Sequence, residues 1–272
     1  MVLAASSSAS RSAVRSSLSS NRSCSTSLWA MLYQTAIGAV ILPLYHLVFL
    51  YHTAKTDYYT SKALQLPLSY ARGLIPALVL GYLMPTMALY APFQDPDLAP
   101  QQVLAAFWQM TPLLVNILLG LFSRTLGTPH SSSDENNARY DSAMKYLNAM
   151  YAMCLIGAAF AHFAVFYICI HSPEVSLARI FVPQHQLLGG SVTEVLFYIF
   201  QVDYLVIFTS SLLWAFVATN DLRLLHRTST SLVQIALLVA GGVILVGPAA
   251  TVTAIWWWRE TRLRDESRTK TL

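Results

Sequence analysis

The chain has 272 residues, of which 55% are hydrophobic and 11% charged, with a formal net charge of +4. Soluble domains carry about 25% charged residues, so this composition excludes a water-soluble globule and points to a membrane protein. Much of the positive charge is clustered in the last residues beside apolar sequence, where it suits anionic lipid headgroups; no soluble module offers a basic face for nucleic acid.

Residues 1–27 are dominated by Ser and carry Arg11, Arg15 and Arg22, with no acidic residue before Asp57. That composition fits a disordered tail, the favoured reading, and also an organelle transit peptide. No apolar run precedes a small-residue cleavage site ahead of Leu28, so the first helix is expected to act as its own insertion signal.

Six apolar runs follow, at Leu28 to Tyr51, Tyr70 to Phe93, Val103 to Phe122, Met144 to Ile170, Val195 to Val217 and Leu232 to Trp258. A helix needs about 20 such residues to cross the hydrocarbon core, and backbone groups in lipid must be satisfied within the segment. The predicted fold is therefore all-α: a polytopic bundle of about six membrane-spanning helices over residues 28–258, with a disordered N-terminal tail and a basic C-terminal tail at 259–272. Lys and Arg mark the links after helices one, three and five as cytoplasmic, yet six spans put the basic C-terminal tail on the opposite side. The two orientation signals conflict.

Along these helices the informative residues are polar. His46 and His162 are single intramembrane imidazoles on helices one and four, a setting that more often means packing than catalysis. Pro76, Pro85, Pro112 and Pro248 are expected to kink their helices. Helix three carries Gln102, Gln109, Asn116 and Ser123 at intervals of seven, with Trp108 beside them. Such a stripe avoids lipid, either by hydrogen bonding between helices or by lining a cavity. Two longer links follow: TPHSSSDENNARYD reads as a solvated connection, and HSPEVSLARIFVPQHQLLGGS, broken by Pro173, Pro183 and Gly189-Gly190, reads as an interfacial segment. Gly241, Gly242 and Gly247 on helix six read as close-packing positions.

Helix five holds YIFQVDYLVIF, in which one carboxylate, Asp203, stands among uncharged residues. Ionisable groups at that depth are expensive and mark function by default. Helical spacing puts Phe200, Ile207, Ser210 and Trp214 on the side of Asp203. Two roles remain open for it on this evidence, a buried general acid and a structural acid bonded to the stripe of helix three. Glu194, at the start of the helix, is a second acid whose commoner role is to offset the helix dipole. Cys24, Cys154 and Cys169 form no CxxC pair, so neither a disulfide framework nor a zinc site is predicted. The sequence contains no Gly-rich phosphate loop after a strand, no GxSxG elbow, no HExxH pair and no acidic cluster to hold magnesium on a diphosphate. Nothing in it specifies an oligomeric state.

Four segments, LPLSYARGLIPALVLGYLMPTMALYAPF, QQVLAAFWQMTPLLVN, FQVDYLVIFTSSLLWA and GPAATVTAIWWWRE, resemble in order those of the fungal membrane-bound terpene cyclases of the ascochlorin type. The resemblance spans Leu42 to Glu260. It implies a multi-pass enzyme of the endoplasmic reticulum in meroterpenoid or related terpenoid biosynthesis, working on a lipophilic prenylated substrate without metal or organic cofactor. An acid protonates an olefin or epoxide, internal double bonds attack the cation, and loss of a proton ends the cascade. On this reading Asp203 is the acid and Glu194 the weaker candidate, while Trp108, Gln109, Asn116, Phe200, Ser210 and Trp214 contact the substrate. Aromatic faces stabilise a desolvated cation by about 2 kcal/mol or more. A transporter, or a non-catalytic membrane protein of a biosynthetic cluster, also accommodates an intramembrane acid. A transporter is expected to show internal repeats and broken helices, and no convincing repeat relates residues 28–122 to 144–258.

Overall fold

The computed structural model describes residues 24–53, 66–91, 99–126, 134–172 and 174–269. The expected disordered tail at 1–27 therefore lies almost wholly outside the described residues, as does the end of the basic tail. Helices are α1 (Cys24–Thr35), α2 (Gly38–Thr53), α3 (Leu68–Leu89), α4 (Ala99–Trp108), α5 (Thr111–Thr125) and α6 (Asp134–His171). Then come α7 (Leu177–Phe181), a 3-10 turn (His185–Gly189), α8 (Val192–Leu224), α9 (Leu232–Val246) and α10 (Pro248–Thr269). The described residues contain no strand, as the backbone argument requires.

The chain folds as two compact units, one of Met1–Thr35 with Thr60–Tyr151 and one of Ala36–Tyr59 with Ala152–Leu272. In the first, α3 packs against α5 through small residues. Gly73, Ala77 and Gly81 recur every fourth position, and a Cβ on Gly81 would stand 2.9 Å from the Cα of Val115. Such spacing lets two backbones approach where lipid offers no hydrophobic drive. Pro76 and Pro85 flank a π-helical segment, Val79–Leu83. A proline withdraws an N–H from the ladder and its ring crowds the carbonyl four residues back, and a wider turn relieves both.

In the second unit α2 and α10 pack on α8, and α9 packs on α10. Its core holds Trp214, Ala215 and Ala218 from α8 with Ala250, Val252 and Trp256 from α10. The rings of His46, Trp214 and Trp256 form a stack, with centroids 4.7 Å and then 4.1 Å apart. His46 is thus a packing imidazole, as its isolation in the sequence suggested.

The six continuous spans of the hydropathy reading are not all present. Among the described residues three helices are long and apolar enough to cross a membrane, and a fourth span arises if α4 and α5, bent by 57°, count as one. The first and sixth runs are each broken, at Ala36-Ile37 and at Gly247. Gly247 takes φ +88° and is followed by Pro248, so the ladder of α9 ends there. The 15 residues of α9 extend about 22 Å, short of a hydrocarbon core of about 30 Å. Hydropathy detects neither break because no charged residue stands at either and the apolar residues on both sides dominate a long window. At the other end, α10 continues through Arg259 and Glu260, both fully buried, so the polar tail begins later than residue 259.

Candidate functional site

The second unit contains a cavity of about 400 Å³ bounded by α6, α7, α8 and the α9–α10 junction. Five of its lining residues are aromatic: Phe181, Phe197, Phe200, Tyr204 and Phe208. Tyr204 sits between two of these rings, 5.4 Å from Phe181 and 4.7 Å from Phe208 by centroids. The row arises because positions 197, 201, 204 and 208 return to one face of α8. Opposite it stand Ala158 and His162 of α6, whose Ala side chain leaves space that a larger one would fill.

The polar groups on this wall are few and well placed. His162 Nε2 lies 3.2 Å from the carbonyl oxygen of Ile244, which can only accept, so that nitrogen carries the proton. Gln201 is 4% exposed, and its Nε2 donates to the carbonyls of Arg179 (2.6 Å), Ile180 (3.0 Å) and Val182 (3.3 Å). These contacts tie α7 to α8. Gly247 abuts the ring of His162, and a Cβ there would come within 2.8 Å of two ring atoms. Gly247→Ala combines that clash with a left-handed φ that a side chain tolerates poorly. It is expected to destabilise the protein by about 1–3 kcal/mol, read as a lowered unfolding midpoint in detergent.

The face of α8 grouped around Asp203 exists, but α2 covers it. The Oδ1 of half-buried Asp203 accepts the N–H of Ala39 at 2.5 Å. Both carboxylate oxygens crowd Gly38, where a Cβ would stand 3.2 Å and 3.4 Å from them and 2.8 Å from the Cδ1 of Ile207. The acid meets the first turn of α2, where it takes up an N–H that the helix leaves without an intrahelical partner. Its partner is thus a helix N-terminus rather than the polar stripe of helix three. Further along this face, Trp214 is 3% exposed within the ring stack, and Ser210 Oγ bonds the carbonyl of Ile207 in its own helix. At roughly 100° per residue, Asp203 stands about a third of a turn away from the cavity-facing row, and it is absent from the cavity wall. Phe200 does line the cavity.

Glu194 caps α8. Its Oε2 accepts the Ser191 N–H at 2.7 Å and the Ser191 hydroxyl at 2.9 Å, while Glu194 N–H donates to Ser191 Oγ. This reciprocal capping box assigns the exposed acid a structural role, in place of the catalytic one considered from the sequence.

Trp108, Gln109 and Asn116 belong to the first unit. Trp108 Nε1 donates to Thr86 Oγ1 at 3.0 Å. The helix breaks at Gln109-Met110, ahead of Pro112, so the stripe of seven-residue spacing does not run as one face. Asn116 and Ser123 bond carbonyls of their own helix, those of Pro112 and Gly120. The bonds expected between helices are therefore absent at these two positions. No group of three or more metal-binding side chains occurs among the described residues.

Sequence reasoning passed over Gln201, His162 as a wall residue, Tyr204 and Phe208. A search for the recurrence of apolar and aromatic positions three and four apart from Phe197 would have found the row on α8; the contribution of α6 depends on tertiary packing.

Residues 13–264 match the CtvD domain, a family of fungal secondary-metabolite biosynthesis. The match covers far more than half of the chain. A FAD-dependent monooxygenase of Penicillium polonicum, verC1, is 26% identical over 230 residues, which are 82% of this chain and 27% of that protein. The chain thus corresponds to about a quarter of the length of that relative. No solved structure matches.

Proposed function

We propose that the chain, which belongs to the CtvD family, is an integral-membrane cyclase acting on an oxygenated, lipophilic chain in fungal secondary metabolism. The observation that carries this reading is the aromatic, nearly apolar cavity of the second unit. Such walls hold a greasy substrate, exclude the water that would trap a cation, and offer ring faces to developing positive charge.

The step assigned to it is balanced without a co-reactant. An acid protonates an epoxide oxygen, the C–O bond breaks, and an internal double bond donates its electrons to the carbon left positive. A new bond closes the ring, and loss of a proton restores the acid. An olefin in place of the epoxide follows the same scheme. Asp203 is proposed as the acid, delivering through Oδ2 while Oδ1 stays on Ala39. Reaching a substrate requires it to approach past Phe200, one turn earlier on α8. His162 and Tyr204 are the titratable groups on the cavity wall itself.

An epoxide is favoured over an olefin because the matched relative is named as a monooxygenase, and oxygen insertion makes the group that an acid then opens. The described residues of this chain do not fit FAD. They contain no strand leading into a glycine-rich turn, and at the one Gly-Gly turn before a helix, Gly189-Gly190, the Glu194 carboxylate occupies the N–H of Ser191 that a phosphate would need. A location in the endoplasmic reticulum membrane completes the proposal, and the apolar faces of α6 and α8, with Phe160 and Phe200 exposed, suit lipid contact.

The interrupted helices at Ala36-Ile37 and Gly247 favour a second reading, a carrier. Purified protein in detergent, offered terminal epoxides of prenylated or polyene substrates, separates the two. The cyclase yields a ring-closed isomer of unchanged mass, whereas a carrier returns its ligand unaltered, and that result removes the enzyme reading.

A further inference from the structure

We infer that α9 and α10 form a hairpin that enters and leaves the bilayer by one face, so that the C-terminal ends of α8 and α10 present a joint basic surface to the anionic phospholipid headgroups of the cytoplasmic leaflet. The inference concerns the second unit alone and holds whichever ligand its cavity takes.

Helix directions follow from the register of the contacts. Rising residue numbers on α8 meet rising numbers on α10: the cavity wall joins Phe197 to Phe208 with Pro248 and Ala249, the ring of Trp214 stacks on Trp256, and the Ala218 carbonyl accepts from Arg259. The two helices are therefore parallel. Helix α2 has the same sense, since Ala39 meets Asp203 and His46 meets Trp214. Helix α9 runs the other way. A Cβ on Gly242 would stand 2.8 Å from Thr251 Oγ1, whereas a continuous helix would hold these two positions about 13 Å apart. The chain thus reverses at Gly247. Helix α9 lies along the C-terminal half of α8, where Leu212, Leu213 and Phe216 share a groove with Ala236, Ala240 and Val243.

Depth in the membrane follows from length. Counting back at equal rise from the pair Trp214 and Trp256, Pro248 stands level with Val206, the middle of the apolar run Val195 to Val217. The apolar part of α10, Pro248 to Trp258, extends about 16 Å, half of a hydrocarbon core of about 30 Å. The turn at Gly247 therefore reaches the middle of the bilayer and goes no further. Non-helical backbone at that depth has to be enclosed by protein. Gly247 lies against the His162 ring, and the carbonyl of Ile244, left over at the end of α9, accepts from His162 Nε2. The sixth apolar run is accordingly a half-membrane hairpin. The conflict between the orientation signals of the sequence disappears, because the link after α8 and the tail after α10 leave the membrane on one side.

That side is the basic one. Arg223 of α8 and Arg262 of α10 are exposed, Arg227 follows in the link, and Leu222 and Leu263 are fully buried at the same level. The acids there are Asp221 and the buried Glu260, and beyond Arg262 the sequence adds three cations against two acids. In the segment leading into α8 the charges are instead Glu174, Arg179 and Glu194. Cytoplasmic helix ends carry the excess of Lys and Arg, and the anionic lipids of that leaflet attract them. The aromatic cavity, beyond the turn, then occupies the lumenal half of the bilayer.

The test places single cysteines on the full-length protein in sealed microsomes with the cytoplasmic face outward. Ser229→Cys lies in the exposed link after α8 and Leu272→Cys at the end of the chain. Each is treated with a membrane-impermeant maleimide and read by peptide mass spectrometry against the unsubstituted protein. Both are expected to be labelled without detergent. A complete sixth span would put them on opposite sides, so labelling of only one before permeabilisation overturns the hairpin. Labelling of neither until detergent is added overturns the cytoplasmic assignment. Lipid contact is read by native mass spectrometry in detergent containing equal amounts of phosphatidylserine and phosphatidylcholine. The wild type should retain phosphatidylserine preferentially, and Arg223→Gln with Arg262→Gln should lower the preference about fivefold for each arginine removed. The pair Arg223→Lys and Arg262→Lys, which keeps the charges, should preserve it. No preference in the wild type, or an unchanged one in the Gln pair, overturns the surface.

Discussion

Asp203→Asn is expected to lower turnover of an epoxide substrate by about 10²- to 10⁴-fold, the usual contribution of a positioned general acid, while leaving folding intact. The substitution separates the acid role proposed for Asp203 from the helix-terminal bond that the structure shows for it. Asp203 accepts the Ala39 N–H at the start of α2, and the amide oxygen of Asn accepts that bond equally well, since Asn and Asp are comparable at helix N-termini. Only the proton is lost. Asp203→Ala removes both, and should add a stability loss of about 1 kcal/mol for the missing cap. A useful control is Glu194→Gln, which preserves the capping box and should leave turnover unchanged. Product formation by liquid chromatography and mass spectrometry, normalised to protein in the membrane, reads all three. If Asp203→Asn turns over like the wild type, Asp203 is a structural acid, and the donor is to be sought with His162→Gln and Tyr204→Phe on the cavity wall.

Asp203 also shows what a sequence discloses and what it does not. An isolated acid in an apolar run is visible at once, and helical spacing correctly groups it with Ile207, Ser210 and Trp214. Which element covers that face is a tertiary fact, decided here by Gly38, whose missing side chain admits the carboxylate. Membrane helices are legible because length and hydropathy are one-dimensional quantities. The break at Ala36-Ile37 is not, because a change of backbone direction among apolar residues leaves hydropathy unaltered; at Gly247 the signal was Pro248, read as a kink where the structure ends one helix and starts another. The stripe on helix three failed for a related reason: its regular spacing assumes one straight helix, and the chain bends by 57° inside it. Glu194 was recognisable because a capping box lies within four consecutive residues, Ser191 to Glu194. The cavity joins segments from residue 158 to residue 249, and no local pattern announces that meeting.

Arg259 carries the second large effect, one of stability. Its side chain is fully buried, although its position near the C-terminus of a basic sequence suggested a solvated tail. The guanidinium stands 4.7 Å from the ring centroid of Trp256, Nε donates to the carbonyl of Ala218 at 3.1 Å, and Nη1 lies 3.8 Å from Glu260 Oε1. The bond to Ala218 reaches across to α8, while the Trp256 ring and Glu260 hold the guanidinium from within α10 itself. Arg259→Met keeps much of the volume but frees the Ala218 carbonyl and leaves Glu260, 1% exposed, without that cation. Removing one partner of a buried pair costs about 3–5 kcal/mol, a large share of the roughly 5–15 kcal/mol that holds a domain folded. The expected result is a strongly lowered unfolding midpoint in detergent, with cavity ligands still bound by the fraction that remains folded. Adding Glu260→Gln should recover part of the loss, since the buried carboxylate that Arg259 no longer faces is then neutral. A single substitution that costs less than about 1 kcal/mol, the range of an exposed pair, would show that water reaches this guanidinium and that α10 is held by its Trp256 and Leu263 packing alone.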